Sequence, residues 1–124
     1  MDVSYITAEM SDDFARSVRL GAEAGVSVVS IRSKAWGKAI EDLSADEVAE
    51  ARRILAEHRM RVGMVLSPVG KCDITDDAAV AKHGDILNRT IRLAHALGAD
   101  TIRAFPFRPP NPTPLTDSRV DEYR

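Results

Sequence analysis

The alternation of apolar and polar positions predicts short strands separated by amphipathic helices. Between the strands, apolar residues recur at helical spacing, as Phe14, Val18 and Ala22 do in the first intervening segment. Four runs rich in β-branched or aromatic residues are predicted as strands near 3–8, 26–32, 61–67 and 101–107. The predicted order β-α-β-α-β-α-β is typical of right-handed βαβ units in a parallel sheet, an α/β fold.

Capping signals support the three predicted helices. Ser11, followed by two aspartates, suits the N-terminus of the first helix, and Ser44 to Glu47 form a capping-box pattern that opens the second. Gly25 and Gly98 suit the left-handed position just past a helix C-terminus.

The strand faces favour a (β/α) barrel over a doubly wound open sheet. In the second strand Val29 and Ile31 alternate with Ser30 and Arg32, and in the fourth Arg103 shares a face with Phe105. A sheet covered on both faces would carry nearly continuous apolar runs, whereas the inner face of a barrel can be polar near its C-terminal rim. Arginines that extend from the edge of an ordinary sheet remain the alternative.

Composition argues against a nucleic-acid-binding protein and against a membrane-spanning one. The 124 residues fit one domain, and 17 Lys+Arg against 19 Asp+Glu give a net charge of −2 with no basic run, which argues against a nucleic-acid partner. A single cysteine cannot form an internal disulfide, and no apolar stretch has the length of a membrane span. We expect a cytoplasmic protein without a membrane partner.

Four segments resemble a known family in their order and spacing: SYITAEMSDDF, VVSIRSKAWGKAIEDLS, SPVGKCDI and TIRAFPF. Over about residues 3–108 they resemble the N-terminal half of xylose isomerase-like TIM-barrel proteins, the sugar phosphate isomerase/epimerase family. The resemblance implies a barrel that binds a sugar or sugar phosphate at its C-terminal rim, with a divalent metal held by acidic residues and histidine. Residues 1–108 are thus predicted as a half-barrel of four strands, and 109–124 as a proline-rich loop and the start of a fourth helix.

Two departures from the family limit what can be carried over. Ser30 stands where members commonly have an acidic residue, and a complete barrel needs roughly twice this length. The family's metal ligands lie in its second half. We therefore expect no catalytic residue and no metal ligand in this chain, and a divalent metal only in a full-length barrel.

The predicted substrate-binding residues follow the strand ends. Lys71 leaves the third strand, where an ammonium can meet a hydroxyl, carboxylate or phosphate; a solvated loop lysine is the alternative. Trp36 offers a stacking face for a sugar, although it can equally close the barrel rim. The full predicted set is Arg32, Trp36, Lys38, Lys71 and Arg103.

Other reactive residue types make weak candidates. Cys72 has Lys71 beside it but also Asp73, and no histidine near in sequence, so it is a poor nucleophile. His83 and His95 share a helix but lie about 18 Å apart along its axis, too far to bind one ion. Glu9, at the end of the first strand, is a single rim carboxylate and a weak ligand set.

Two function hypotheses remain from the sequence. One is half of a sugar phosphate isomerase/epimerase whose activity needs the intact barrel; the other is a non-catalytic half-barrel that oligomerises and at most binds small polyols or anions. Unpaired edges and an inner apolar face, predicted to include Val28, Val65 and Phe105, favour a homodimer or higher oligomer. An endonuclease of the same superfamily would need a basic surface and a histidine-rich centre, and the sequence shows neither.

Overall fold

The computed structural model of the chain describes residues 3–108, so the loop and helix predicted over 109–124 lie outside the described residues. The strands are β1 Ser4–Ile6, β2 Val28–Arg32, β3 Lys34–Ala35, β4 Lys38–Ala39, β5 Arg61–Leu66 and β6 Ile102–Arg103. The α-helices are α1 Thr7–Met10, α2 Phe14–Glu23, α3 Ala45–Glu57 and α4 Asp77–Leu97, and a 3-10 helix covers Ile40–Asp42.

A four-stranded parallel sheet in the order β1-β2-β5-β6 forms the centre of the molecule. All four predicted strands are present, although each is shorter than predicted, β1 and β6 most of all. The sequence did not predict α1 or the antiparallel β3–β4 hairpin. Trp36 and Gly37 make the hairpin turn with φ values of 51° and 77°, the backbone that a two-residue hairpin turn requires.

Helices pack on one face of the sheet. Strand residues of the main core include Val29, Ile31 and Val62, and they alternate with side chains that face away from the helices. Helix residues of the same core are Phe14 and Val18 from α2, Ala51, Ile54 and Leu55 from α3, and Leu93 and Ala94 from α4. All three predicted helices therefore cover the same face, as a barrel requires and a doubly wound sheet does not.

An irregularity in β5 corrects one prediction about the inner face. Val29 pairs with Val62 but Ser30 pairs with Met64, so the strand carries an extra residue at Gly63. As a result Val65 lies fully buried in the helix-side core, and the prediction that it faces inward was wrong. Gly63 suits this position because a Cβ there would lie 2.8 Å from Val28 Cγ1.

The helix ends follow the predicted signals with one shift. Asp13, and not Ser11, caps α2 by accepting a hydrogen bond from the Arg16 amide at 2.7 Å. Ser44 and Glu47 form the predicted capping box. Hydrogen bonds to the Glu47 carboxylate from Lys38 and from the Ser44 amide hold the pKa of Glu47 below its usual value. Gly25 and Gly98 both have the predicted left-handed backbone.

Tyr5 connects the edge strand β1 to α2. Its hydroxyl donates to the Ser17 carbonyl oxygen at 2.8 Å, and burial raises the pKa of the phenol. Gly21 makes room for the ring, since a Cβ at that position would lie 2.3 Å from the Tyr5 side chain. Among residues 3–108, no helix is long and apolar enough to cross a membrane.

Candidate functional site

A cavity of about 530 Å³ opens at the C-terminal ends of β2, β5 and β6, and we call it the rim cavity. Side chains from the strand ends and from the loops that follow them form its walls, as expected for the C-terminal end of a parallel sheet. The lining residues are Arg32, Ser33, Lys34, Ala39, Glu41, Leu66, Pro68, Lys71, Arg103 and Phe105.

The loop that carries Lys71, residues 67–74 and hereafter the rim loop, is fixed by backbone hydrogen bonds beyond the strand ends. The Phe105 amide donates to the Val69 carbonyl oxygen at 2.7 Å, and the Arg108 amide donates to that of Cys72 at 2.8 Å. These bonds continue the β5–β6 pairing after both strands have ended. The SPVGKCDI segment is therefore an ordered wall of the cavity.

Gly70 allows the closest approach between these two segments. Its φ is 87°, and a Cβ on this residue would lie 1.9 Å from the Phe105 carbonyl oxygen. On its other side, the Gly70 amide donates to His83 Nδ1 in α4 at 3.2 Å. The rim loop is thus held between α4 and the segment after β6.

Lys71 and Arg103 meet at one aromatic ring. Lys71 Nζ lies 4.4 Å and Arg103 Cζ lies 4.2 Å from the centroid of Phe105, within the range of cation–π contacts. Arg103 also donates from Nη2 to the Ser67 carbonyl oxygen at 3.2 Å. Both cations are therefore positioned at the cavity by identifiable contacts.

Arg32 completes the set from the neighbouring strand. The sheet register aligns Arg32 with Leu66 and Leu66 with Arg103, so the two arginines share the inner face on either side of one leucine. Arg32 forms an ion pair with Glu9, the rim carboxylate that was considered from the sequence as a metal ligand. Within the described residues, the buried Nε atoms of both arginines have no hydrogen-bond partner.

Comparison with known proteins shows the fold that this geometry belongs to. No protein-family model matches the chain, and no curated protein does. A crystal structure of D-psicose 3-epimerase in the presence of D-fructose matches with a TM-score of 0.67 and 19% identity, over 98% of this chain and 43% of that chain. The probable 3-DHS dehydratase AsbF from Bacillus anthracis matches with a TM-score of 0.63 and 21% identity, over 85% and 38%.

The chain has the fold of part of a TIM barrel. It spans about two fifths of the length of these two solved structures. The open-sheet alternative is thereby excluded, and the rim cavity lies where TIM-barrel enzymes place their active sites.

The partial barrel brings together three of the five predicted binding residues, namely Arg32, Lys71 and Arg103. Trp36 and Lys38 do not line the rim cavity. Trp36 packs against Phe14 with ring centroids 5.3 Å apart, and Lys38 forms an ion pair with Glu47 at 2.8 Å. Their role in binding remains a prediction that this geometry does not support.

Two charged residues that line the cavity, Lys34 and Glu41, were missed in the sequence. Lys34 lies in the β3–β4 hairpin and Glu41 in the 3-10 helix, both shortly after β2 ends. Both residues follow the end of β2 closely, which could have marked them as rim residues. This signal was not used because the hairpin had not been predicted from the sequence. Glu41 is the one carboxylate among the residues that line the cavity.

The chemistry available in the rim cavity is anion binding. Four cations line it against one carboxylate, although the whole chain carries a net charge of −2. Residues 3–108 contain no group of three His, Cys, Asp or Glu side chains that could hold a metal ion. The residues present therefore do not fit the divalent metal that the family resemblance implies.

Two other reactive residue types lie outside the lining of the rim cavity. Cys72 is buried, and a ring nitrogen of His58 forms a hydrogen bond with the Ile54 carbonyl oxygen in α3.

We predict that Gly70→Ala destabilises the chain by about 2 kcal/mol or more, because the methyl group meets backbone and the left-handed conformation is strained. Gly25→Ala is the matched control for strain alone, since its φ is 80° and nothing lies within 4 Å of a Cβ there. Urea unfolding measures both. Equal losses in the two variants would contradict the close approach at Gly70.

Proposed function

We propose that the chain is the N-terminal half of a TIM-barrel enzyme that isomerises or epimerises a sugar phosphate, and that the rim cavity binds the phosphate. The observation that supports this most directly is the convergence of Lys71, Arg103 and Arg32 on one cavity. A phosphate oxygen can accept from guanidinium and ammonium donors at once, and such charge-assisted hydrogen bonds are about twice as strong as neutral ones.

The buried Nε donors of Arg32 and Arg103 support the same assignment. A buried donor without a partner costs free energy that a bound acceptor recovers. The ring of Phe105 adds an apolar surface against which a sugar carbon skeleton can pack. In this proposal the cavity binds and orients the substrate, and proton transfer depends on residues of the remaining barrel.

The choice of reaction rests on one of the two structural neighbours. One is an epimerase and the other a probable dehydratase, and the same fold supports both chemistries through different rim residues. The alternative is a non-catalytic half-barrel that only binds small anions or polyols. It is favoured by the lack of a metal-ligand group within residues 3–108. In either case we expect a small-molecule ligand in the cytoplasm and no nucleic-acid or membrane partner.

Calorimetric titration of the purified chain tests the proposed function. We expect D-fructose 6-phosphate to bind at least about tenfold more tightly than D-fructose, because only the phosphate uses the cationic cavity. Lys71→Gln should remove most of this difference. Lys82→Gln, an exposed lysine of α4 that does not line the cavity, is the matched control and should bind as the unaltered chain does.

Equal affinity for the two sugars, or equal effects of the two lysine substitutions, would contradict phosphate binding at the rim. The same samples answer the question of activity. We expect the chain alone to leave both sugars unchanged, since its described residues provide no metal-binding group. Metal-dependent epimerisation by the purified chain would contradict that expectation.

We also propose that the chain forms a homodimer or higher oligomer. Within residues 3–108 the outer edges of β1 and β6 have no strand partner, and the inner face carries Val28, Met64 and Leu66. A symmetric pair of chains can cover this face and the edges. This inner face is less apolar than predicted, because Val65 lies on the helix side.

Sedimentation at dilute concentration should therefore give a mass above the 13.5 kDa of one chain. Met64→Lys, which places a charge on the inner face, should shift the population toward monomer. Met10→Lys changes an exposed methionine of α1 and should leave the mass unaltered. A stable monomer of the unaltered chain would overturn the assembly proposal.

A further inference from the structure

A second cavity of about 500 Å³ lies between α3 and α4, on the helix side of the sheet. Two facing helical stripes form its walls, with Val48, Ala49 and Arg52 on α3 and Arg89, Arg92 and Leu93 on α4. Residues spaced by three and four positions lie on the same side of a helix, so each wall is continuous. We call this cavity the α3–α4 groove.

The floor of the groove is apolar and its space comes from small side chains. Leu93 is buried and Val48 is half-buried, while Ala49 is too short to fill the gap between the helices. The volume falls within the range of small-molecule sites, which are mostly apolar with a few polar groups that fix orientation.

Arginines surround this apolar floor, and two of them are unneutralised. Arg89 is ion-paired with Asp42 of the 3-10 helix. Within residues 3–108, Arg52 and Arg92 make no hydrogen bond or ion pair, and both are exposed. Glu41 is the one carboxylate among the residues that line the groove. Two guanidinium groups beside an apolar trough are complementary to a ligand with an anionic head and an apolar body.

We propose that the α3–α4 groove binds a small amphipathic anion, with its carboxylate or phosphate head on Arg52 and Arg92 and its apolar body along Val48 and Leu93. The α3 wall extends from Ala45 to Arg52, about 10 Å along the helix axis, a length comparable with an extended eight-carbon chain. The groove has its own lining apart from Glu41, so this site does not depend on the function proposed for the rim cavity.

Titration of the ¹⁵N-labelled chain with octanoate, followed by amide chemical shifts, tests the site. We expect saturable shifts at groove residues such as Val48 and Leu93, and at least tenfold weaker binding of octan-1-ol, which lacks the charge, and of acetate, which lacks the body. Octyl phosphate, titrated in parallel, tells which head the arginines prefer. A preference for either anion over octan-1-ol supports the site.

Matched variants separate the charge from the shape of the groove. Arg92→Gln should weaken octanoate binding about tenfold, whereas Arg16→Gln, an exposed arginine of α2 outside the groove, should not change it. Ala49→Leu keeps both arginines but fills the trough, and should abolish binding while preserving the fold, since leucine is a good helix former.

The proposal is overturned if neither octanoate nor octyl phosphate binds more tightly than octan-1-ol, if Arg16→Gln weakens binding as much as Arg92→Gln, or if Ala49→Leu binds normally. Shifts confined to rim-cavity residues such as Lys71 would also overturn it and would assign the anion to the other site. Shifts that track protein concentration instead of octanoate would show that a second copy of the chain occupies the groove.

Discussion

Burial of one face of a parallel sheet is the interaction on which the rest of this molecule depends. Val29, Ile31 and Val65 are almost completely buried against α2, α3 and α4. The alternate positions face the other way, so Arg32 and Arg103 lie on the face without helices. The apolar pattern thus determines both where the helices pack and where polar chemistry is possible.

At the C-terminal end of that polar face, the chain is held in place by backbone hydrogen bonds and not by side-chain packing. Hydrogen bonds between the rim loop and the segment after β6 fix Lys71 and Phe105 relative to each other before any ligand arrives. Lys71 and Arg103 each contact the same ring, so two like charges are held near one another at a partly solvated site. A pre-positioned pair of cations loses less conformational freedom on binding an anion than two free side chains do.

The sequence predicted those parts of the fold that depend on periodicity and on caps. Alternation in VVSIR identified β2 and its two faces, and the Ser44–Glu47 pattern located the start of α3. The predicted alternation misplaced Val65, because one extra residue at Gly63 reverses it. A glycine inside a strand is the local signal of such a bulge, and the prediction did not use it. The β3–β4 hairpin was missed because Trp36 adopts a left-handed backbone that is uncommon for an aromatic residue.

The sequence predicted where the candidate site lies, but only some of the residues that line it. Strand ends indicated Arg32, Lys71 and Arg103, which the structure brings together. Trp36 and Lys38 follow β2 just as closely, but the hairpin directs them to Phe14 and Glu47 instead. Contacts of this kind depend on loop geometry, and spacing along the chain does not encode them.

Amide hydrogen exchange of Phe105 and Arg108 tests most directly whether the rim is a preformed extension of the sheet. Their amides donate to the carbonyl oxygens of Val69 and Cys72 in the rim loop, beyond the ends of β5 and β6. We predict that both amides are protected about as strongly as the Val65 amide, which donates to the Thr101 carbonyl oxygen between β5 and β6. Exchange of both amides at the rate of an unstructured loop, with Val65 still protected, would contradict it.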